Sequence, residues 1–323
     1  MLKEFTAISE LSNDWESLLM KSDINTIFTN PHWSQLWWDH FAEGKQWKGL
    51  YLESNSNIVG IAPMCVEQDT LKLIGNTETV DYNDFIVNPE FTENFFNLII
   101  EYFLANSFNA LHLDSIQEKS LTYQRLPFIA RENGLNVVVT VEDVSPGIQL
   151  PKSWDSYLSS LNKKHRHELR RKLRRLDATD NYKVEIIDQH DNLEQYMNTF
   201  NSLMKMSRVE KMEYLTPEKE HFFNDLSSIT SQQGFLKLFL LSMDNQYVSA
   251  SLCFDYDNQR LLYNSGNNHE FDYYSVGLLL HSFAIKDAIE HNLHYFDFLR
   301  GDEQYKYRLG GIDNTVYSIQ VTK

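Results

Sequence analysis

Cysteine, positive charge and long apolar runs are all scarce in this 323-residue chain. The only cysteines, Cys65 and Cys253, lie far apart in apolar, strand-like segments, which is typical of reduced core thiols rather than of a disulfide or a metal cluster. No segment approaches the roughly 18 consecutive apolar residues that a membrane-spanning helix needs. The first residues, MLKEFTAISELSND, lack the basic and apolar regions of a secretion signal. We therefore expect a cytoplasmic protein with no transmembrane segment.

Several catalytic and metal-binding motifs are missing as well. The eleven histidines form no HExxH motif and pair with no closely spaced cysteines, so we predict no metal site. The chain has no G-x-S-x-G elbow and no Walker loop, which argues against a hydrolase and against a nucleotide-hydrolysing enzyme.

The net charge of -16 disfavours general nucleic-acid binding, because such proteins usually present a basic face. Residues Lys163 to Arg175 are the exception, with eight Lys or Arg against one Glu. Helical spacing puts Lys164 and Arg171 on one side and leucines on the other. Three interpretations stay open: binding of phosphates in CoA, a nucleotide-sugar or an RNA end; peripheral contact with anionic lipid; or a solvated face. We take Lys164 and Arg171 as candidate substrate-binding residues.

The order of predicted elements indicates two similar α/β (α+β) halves. Each half contains a strand, two helices, several antiparallel strands, a long helix and a further strand. Helices are predicted around Pro31–Phe41 and Pro217–Gln233, because Asn30–Pro31 and Thr216–Pro217 are typical helix starts. The segment TLKLIGNTETVDYNDFIV is expected to continue the sheet of the first half. A chain of this length exceeds what one core normally supports, and the bridge SPGIQLPKSW is rich in proline. We predict domains at residues 1–150 and 151–323.

The region from Arg260 to Gly311 is the best candidate for a ligand site. A strand ends in NSGNN, and a helix then opens at Ser275, Val276 and Gly277, where free backbone N–H groups can hold a phosphate. The alternative is an ordinary helix capped by Ser275. The corresponding helix of the first half opens with acidic residues and no glycine, so we expect the phosphate in the second half.

The segment YFDFLRGDEQYKYRLGG places many polar side chains at the end of a buried strand. Tyr305 is a candidate proton donor to a departing thiolate, and Asp297 is a candidate proton acceptor. Arg300 and Lys306 are candidate substrate-binding residues. The alternative makes Asp297 a buried loop anchor and the basic residues a solvated turn.

Three motifs together, the Lys/Arg-rich helix, SVGLLL and FDFLRGDEQYKYRLG, resemble those of bacterial GNAT-related acetyltransferases of the cellulose-biosynthesis type. That family is similar to the Fem-type transferases. The resemblance is strongest over residues 151–311, and VDYNDFIV in the first half also fits it. It implies tandem GNAT-like domains, each with a mostly antiparallel central sheet flanked by helices.

The resemblance also implies acetyl-CoA or another acyl-CoA as donor, bound by the catalytic C-terminal domain. The positions that match the donor side of the site are Asn264, Ser265, Gly266, Ser275, Val276 and Gly277. Val276 stands where the family commonly has proline, and the usual GNAT signature of arginine or glutamine followed by spaced glycines is absent.

The N-terminal domain is expected to serve the acceptor and to bind no CoA. Asp81, Tyr82 and Asp84 follow its central strands and are candidate acceptor-binding residues, facing a cleft between the domains. The acceptor is an amine or hydroxyl of a sugar, a polysaccharide precursor or a small molecule. Two other functions stay open: a Fem-like aminoacyl-tRNA-dependent ligase acting on a cell-wall precursor, and a non-catalytic module that binds a sugar or a protein.

Overall fold

The chain folds into two units. The computed structural model describes residues 1–189 and 192–323. His190, one of the histidines considered above as a metal ligand, lies outside the described residues. Unit 1 comprises Met1–Val144 with Asn314–Lys323, and unit 2 comprises Ser145–Asp313. Within the described ranges, no helix combines the length and the apolar character needed to cross a bilayer.

The strands are as follows: β1 Leu2–Phe5, β2 Gln46–Ser54, β3 Asn57–Glu67, β4 Thr70–Leu73, β5 Ile86–Val87, β6 Ala110–Gln117, β7 Asn136–Gln149, β8 Tyr182–Ile187, β9 Leu236–Met243, β10 Gln246–Tyr256, β11 Gln259–Asn267, β12 Tyr295–Asp297 and β13 Ile312–Thr322. The α-helices are α1 Ser12–Leu19, α2 Pro31–Phe41, α3 Thr92–Ala105, α4 Leu121–Glu132, α5 Trp154–Ser160, α6 Lys163–Asp177, α7 Leu193–Ser207, α8 Val209–Tyr214, α9 Pro217–Gln232, α10 Val276–Glu290 and α11 Gln304–Arg308. A 3₁₀ helix, His269–Tyr274, precedes α10.

Unit 1 is a mostly antiparallel sheet in the order β1-β2-β3-β4-β6-β13-β7, with β5 paired to β3. Its one described parallel pairing joins Thr70–Lys72 of β4 to Ala110–His112 of β6. The buried face of α3, including Phe95, Ile99 and Phe103, packs into the core against the sheet. Removing these side chains from water is the main stabilisation of this layer.

Unit 2 repeats this arrangement. Its sheet has the strand order β7, β12, β11, β10, β9 and β8, and only the C-terminal part of β7 belongs to this unit. Its core contains the buried face of α10, including Leu280 and Ile285. In both units a long apolar helix leads to a further strand, as the sequence predicted, and that strand pairs in parallel with an earlier one. The predicted fold class, mostly antiparallel sheets flanked by helices, is confirmed.

Two of the predicted helices begin where the sequence placed them, because each has a polar cap followed by proline. The side chain of Asn30 accepts a hydrogen bond from the His32 N–H, with Pro31 at the first helical position. Thr216 and Pro217 start α9 in the same way. The predicted helices at residues 31–41 and 217–233 are therefore confirmed.

Other elements depart from the prediction. The segment TLKLIGNTETVDYNDFIV was expected to continue the sheet, but only β4 and β5 within it are strands. The Asn76 side chain accepts hydrogen bonds from the N–H groups of Glu78 and Thr79, and this local turn competes with strand pairing. Helix α4 and strands β7 and β13 were not predicted from the sequence.

The boundary between the units differs from the predicted one near residue 150. The chain passes from unit 1 to unit 2 within β7, after Val144, and residues Asn314–Lys323 return to unit 1. The return follows from the pairing of β13 with β6, in which Val321 lies opposite Leu111. Such a pairing joins residues about two hundred positions apart, so the local pattern does not reveal it.

Candidate functional site

The central feature of unit 2 is a strand that loses one of its neighbours partway along. β11 pairs with β10 from Gln259 to Asn267, but with β12 only from Gln259 to Leu261. Beyond Leu261 the edge of β11 that faces β12 is without a described strand partner. Its backbone groups there can bind an extended ligand, as in other recognition by strand addition.

A pocket of about 310 Å³ lies at the end of this strand. All of its lining residues belong to unit 2 and come from α6, the α7–α8 junction, the end of β11, the 3₁₀ helix His269–Tyr274, the start of α10 and the segment around α11. They are Lys172, Ser207, Arg208, Lys211, Ser265, Asn267, His269, Asp272, Ser275, Val276, Gly277, Leu278, His281, Glu303, Tyr305 and Arg308. The structure thus brings together Ser265, Ser275, Val276, Gly277 and Tyr305 from the predicted set.

The N-terminus of α10 opens onto this pocket. Ser275 has the left-handed backbone conformation, with φ of 59°, and its side chain does not cap the helix, contrary to the alternative considered above. Instead the Ser275 hydroxyl accepts a hydrogen bond from the Lys172 ammonium. The first turn of α10 contains no acidic residue. Its backbone N–H groups and the lysine together form a site suited to an anion.

The two predicted donor-site glycines have different surroundings. A Cβ atom at Gly266 would lie 2.2 Å from the Met204 backbone nitrogen, so this glycine allows α7 to pack against β11. A Cβ atom at Gly277 would meet only the Asn267 side chain, at 3.2 Å. Gly277 therefore keeps the pocket open to a ligand, whereas Gly266 has a packing role.

Positive charge predominates in the pocket. Lys172, Arg208, Lys211 and Arg308 line it, against the carboxylates of Asp272 and Glu303. This excess is notable in a protein with a net charge of -16. The pocket walls therefore favour an anionic ligand.

Lys211 is the most deeply enclosed of these cations. Its Nζ donates to the carbonyl oxygen of Ser265 at 2.5 Å and to Oδ1 of Asn264 at 2.9 Å. Burial lowers the pKa of Lys211 to about 8, although the charge of Glu303 acts in the opposite direction. An ammonium has three N–H donors, so Lys211 can offer one to a ligand while holding the end of β11.

Both pocket carboxylates are already paired. Asp272 accepts from Nδ1 of His269 at 2.9 Å, and Nε2 of the same ring donates to the Ser207 carbonyl at 2.5 Å. These bonds raise the pKa of His269. Burial alone would raise the pKa of Glu303, but Lys306, whose Nζ lies 2.9 Å from Oε2, and Lys211 lower it.

Tyr305 forms one wall of the pocket. Its ring packs against that of His281, with centroids 4.8 Å apart, and Nδ1 of His281 lies 3.1 Å from the Ser251 hydroxyl. Burial raises the pKa of Tyr305 strongly and lowers that of His281 to about 3. At neutral pH the phenol keeps its proton and the imidazole is uncharged.

Asp297 and Lys306 do not line the pocket. Asp297 is buried, and its Oδ1 accepts a hydrogen bond from the Leu299 N–H at 2.8 Å, which matches the alternative of a loop anchor. The buried Lys306 ammonium donates to the carbonyl oxygens of Leu299, Arg300 and Gly301 at 2.6–2.9 Å. Both side chains therefore fix the loop that leads to Tyr305. Arg300 lies in this loop, half-buried, outside the pocket lining.

On the basic helix, the pocket-facing residue is Lys172 rather than the predicted pair. Arg171 is exposed and pairs with Glu168, at 2.7 Å. Lys164 is exposed and also lies outside the pocket lining. Substrate binding by Lys164 and Arg171 stays a prediction.

The predicted acceptor-binding residues Asp81, Tyr82 and Asp84 all lie in unit 1. Asp84 is buried and accepts hydrogen bonds from the Ser120 and Thr122 hydroxyls at the start of α4. Burial raises its pKa to about 7, although these bonds oppose the shift. Tyr82 is also buried, while Asp81 is half-buried. These contacts give Asp84 a structural role, and acceptor binding stays a prediction for all three.

Sequence analysis did not single out Arg208, Lys211, His281, Glu303 or Arg308 as site residues. The lysine in the segment RVEKMEY carries no local signal, because only the tertiary structure brings it to β11. Across residues 1–189 and 192–323, no three His, Cys, Asp or Glu side chains are grouped as metal ligands would be.

Residues 163–307, just under half of the chain, match the family described as acetyltransferase (GNAT) domain. The matched segment contains the basic helix, β11, α10 and Tyr305. This match relates unit 2 to the GNAT acetyltransferases and supports that part of the predicted family relationship. No curated protein sequence matches the chain.

Solved structures resemble the whole chain in fold. The crystal structure of FemX has a TM-score of 0.69 at 13% identity, with 98% of this chain and 96% of FemX covered. L-PGS from Bacillus licheniformis has a TM-score of 0.58 at 10% identity, over 98% of this chain and 93% of its own. A tandem GNAT protein from the clavulanic acid biosynthesis pathway has a TM-score of 0.53 at 11% identity, over 99% and 98%. At these identities the likeness concerns the fold, which is that of tandem GNAT-like domains.

Proposed function

We propose that this protein transfers an acyl group, acetyl in the simplest case, from acyl-CoA to an amine or hydroxyl. The observation that carries the proposal is the cationic pocket at the start of α10, beside the unpaired edge of β11. The GNAT-domain match over the same residues supports it. The resemblance to cellulose-biosynthesis-type enzymes points to a sugar or polysaccharide precursor as acceptor, and a small molecule is the other candidate. We place this reaction in the cytoplasm.

The pocket residues fit the chemical groups of the donor substrate. The N–H groups of Val276, Gly277 and Leu278, with Lys172, suit a pyrophosphate. Gly277 lets that group approach the helix closely. The amide groups of the pantetheine arm can pair with the open edge of β11. This arrangement directs the thioester toward Lys211 and Tyr305.

The proposed reaction is direct transfer. The acceptor nitrogen or oxygen attacks the thioester carbon, the carbon–sulfur bond breaks, and the new acyl bond forms while water accepts the acceptor's proton. Lys211 and the N–H groups of β11 stabilise the developing oxyanion. Tyr305 donates a hydrogen bond to the leaving sulfur, and the thiolate takes its proton from Tyr305 or solvent. Both cysteines are buried and burial raises their pKa, so neither suits a covalent intermediate.

Calorimetric titration with CoA, acetyl-CoA and dephospho-CoA tests the donor site. Gly277→Glu puts a carboxylate at the start of α10 and is expected to weaken CoA binding at least tenfold. Gly277→Ala is the matched control, because it adds only a Cβ atom 3.2 Å from the Asn267 side chain. If no CoA species binds the wild-type protein, the donor assignment is wrong.

A Fem-like aminoacyl-tRNA-dependent ligase acting on a cell-wall precursor is the second candidate. The whole-chain likeness to FemX and the basic helix α6 favour it, whereas the net charge of -16 opposes it. Thermal shifts measured with tRNA and with CoA separate the two donors. A shift with tRNA alone that disappears at high salt would favour the ligase.

A further inference from the structure

The solvent-facing side of α6 carries cations that have no partner among the residues that the structure describes. Lys163, Arg170 and Arg174 follow one another at helical spacing, and Lys164 lies beside them. All four are exposed, and none forms a hydrogen bond or ion pair with any of the described residues. Holding four like charges together on one helix costs free energy through repulsion. An external anion would relieve that cost.

The remaining cations of α6 have internal partners. Arg166 donates to the carbonyl oxygens of Ser159 and Leu161, and Arg171 pairs with Glu168. Lys172 reaches Ser275, as described above, and Arg175 donates to the Tyr273 carbonyl at 2.5 Å. Helix α6 therefore carries two sets of cations. Four bind other groups of the protein, and the four on the solvent-facing side have no partner among the described residues.

Exposed apolar side chains lie near the same pocket. Met206, Val209 and Met212 are 58%, 62% and 52% exposed and alternate in sequence with the pocket residues Ser207, Arg208 and Lys211. On the α6 side, Tyr273 is 67% exposed, and its ring lies 4.4 Å from the Arg175 guanidinium carbon. The hydrogen bond from His269 Nε2 to the Ser207 carbonyl joins the segment that contains Tyr273 to the segment that contains Met206.

We propose that these residues form a docking surface for an anionic lipid bilayer. The docking surface consists of Lys163, Lys164, Arg170, Arg174, Met206, Val209, Met212 and Tyr273. Basic side chains attract anionic headgroups, and exposed apolar side chains enter the boundary between headgroups and acyl chains. The proposal concerns this surface alone and does not depend on acyl transfer.

Charge complementarity favours an anionic occupant, and the exposed apolar side chains favour a bilayer over RNA. The basic segment carries about +7 and the rest of the chain about -23, which confines the attraction for an anionic surface to the face formed by α6. A bilayer also gives the three exposed aliphatic side chains of α7 and α8 an apolar environment, which a phosphate backbone lacks. Docking in this way would place the pocket mouth at the membrane surface.

Sedimentation with vesicles tests the proposal. We expect the protein to bind vesicles of phosphatidylglycerol and phosphatidylcholine, and not vesicles of phosphatidylcholine alone. The triple variant Lys163→Gln, Arg170→Gln, Arg174→Gln should bind the anionic vesicles about 100-fold more weakly, at about fivefold per charge. Lys21→Gln, Lys119→Gln, Lys152→Gln removes the same charge from other exposed positions and should retain binding.

A second variant tests the apolar half of the surface. Met206→Ser, Val209→Ser, Met212→Ser should still bind anionic vesicles at low salt but should lose binding at about 0.5 M salt, where charge attraction is screened. Thermal melting checks that both triple variants are folded, which we expect because the replaced side chains are exposed. Equal vesicle binding by the wild type and the α6 variant would overturn the proposal. Binding of tRNA in preference to anionic vesicles, lost in the α6 variant, would also overturn it.

Discussion

The two units share a framework but differ in one strand. This strand precedes the long helix, α3 in unit 1 and α10 in unit 2, and pairs in parallel with the strand that follows that helix. In unit 1, β4 pairs in parallel with β6 over three residues and ends at Leu73. In unit 2, β11 pairs in parallel with β12 over three residues and then continues to Asn267. The six extra residues of β11 create the open edge at which the pocket lies. The repeated framework therefore supports the fold in both units, and the extension adds the edge beside the proposed ligand site in unit 2.

The helices that follow differ in charge at their N-termini. Glu93 lies in the first turn of α3 and pairs with Arg125, so that helix start already has an anion. The start of α10 has Gly277 and a nearby lysine instead. A helix N-terminus favours negative charge. In unit 1 the protein supplies that charge itself, and in unit 2 a ligand can supply it.

Replacement of Arg260, in unit 2, gives the largest expected effect on stability. The ion pairs described above for unit 1 include no buried arginine of this kind. It is fully buried, and it binds Asp255 at 2.7 Å and Asp287 at 2.6 Å beneath α10. Arg260→Met leaves both carboxylates without their cation and should cost about 3–5 kcal/mol of unfolding free energy. Urea denaturation measures the change. Adding Asp255→Asn and Asp287→Asn should restore part of the loss, and a cost below about 1 kcal/mol would contradict this account.

Asp84 is the buried carboxylate of unit 1, and its raised pKa makes stability depend on pH. Its folded pKa of about 7 exceeds the ordinary value of 3.8, so its contribution is fully present below pH 3.8 and is lost as pH rises through 7. The loss is at most about 4 kcal/mol. Asp84→Asn should therefore flatten the fall in melting temperature between pH 4 and 7, relative to the wild type. An unchanged pH profile would mean that Asp84 titrates normally.

Substitution of Lys211 tests whether acyl transfer takes place at the pocket of unit 2. Lys211→Met should lower kcat about 100-fold, because it removes a donor to the developing oxyanion. Lys211→Arg, which keeps the charge, should retain more activity. Because the pKa of Lys211 is about 8, wild-type kcat should fall as pH rises through 8, and the arginine variant should shift that fall upward. Steady-state kinetics with acetyl-CoA measures both effects, and a change in KM alone would limit Lys211 to binding.

Arg125 gives the smallest expected effect. Its ion pair with Glu93 joins two side chains that are about half exposed. Solvent screens such pairs, so Arg125→Met should change the unfolding free energy by less than about 1 kcal/mol. Urea denaturation at low and high salt checks this value. A cost near that of Arg260→Met would remove the contrast between the exposed and buried ion pairs.

The sequence predicted the elements whose signals are local. Apolar periodicity placed α3 and α10, and the pairs Asn30–Pro31 and Thr216–Pro217 placed the starts of α2 and α9. The segment that forms β13, IDNTVYSIQVT, contains β-branched residues typical of a strand, yet its partner could not be inferred without the fold. The residues of the candidate site show the same difference between local signals and tertiary packing. Gly277 and Tyr305, which line the pocket, were predicted from the contiguous motifs SVGLLL and FDFLRGDEQYKYRLG, whereas Lys211 reaches β11 only through tertiary packing.

The return of the last ten described residues to unit 1 also bears on how the protein is made. A ribosome releases the whole of unit 2 before β13, which lies between β6 and β7 in the sheet of unit 1. Until then the nascent chain exposes β6 and β7 as unpaired strand edges, and such edges invite association with other chains. Unit 2 can fold while it waits, since its own strands are already complete. Most of unit 1 is therefore synthesised before unit 2 but is completed after it.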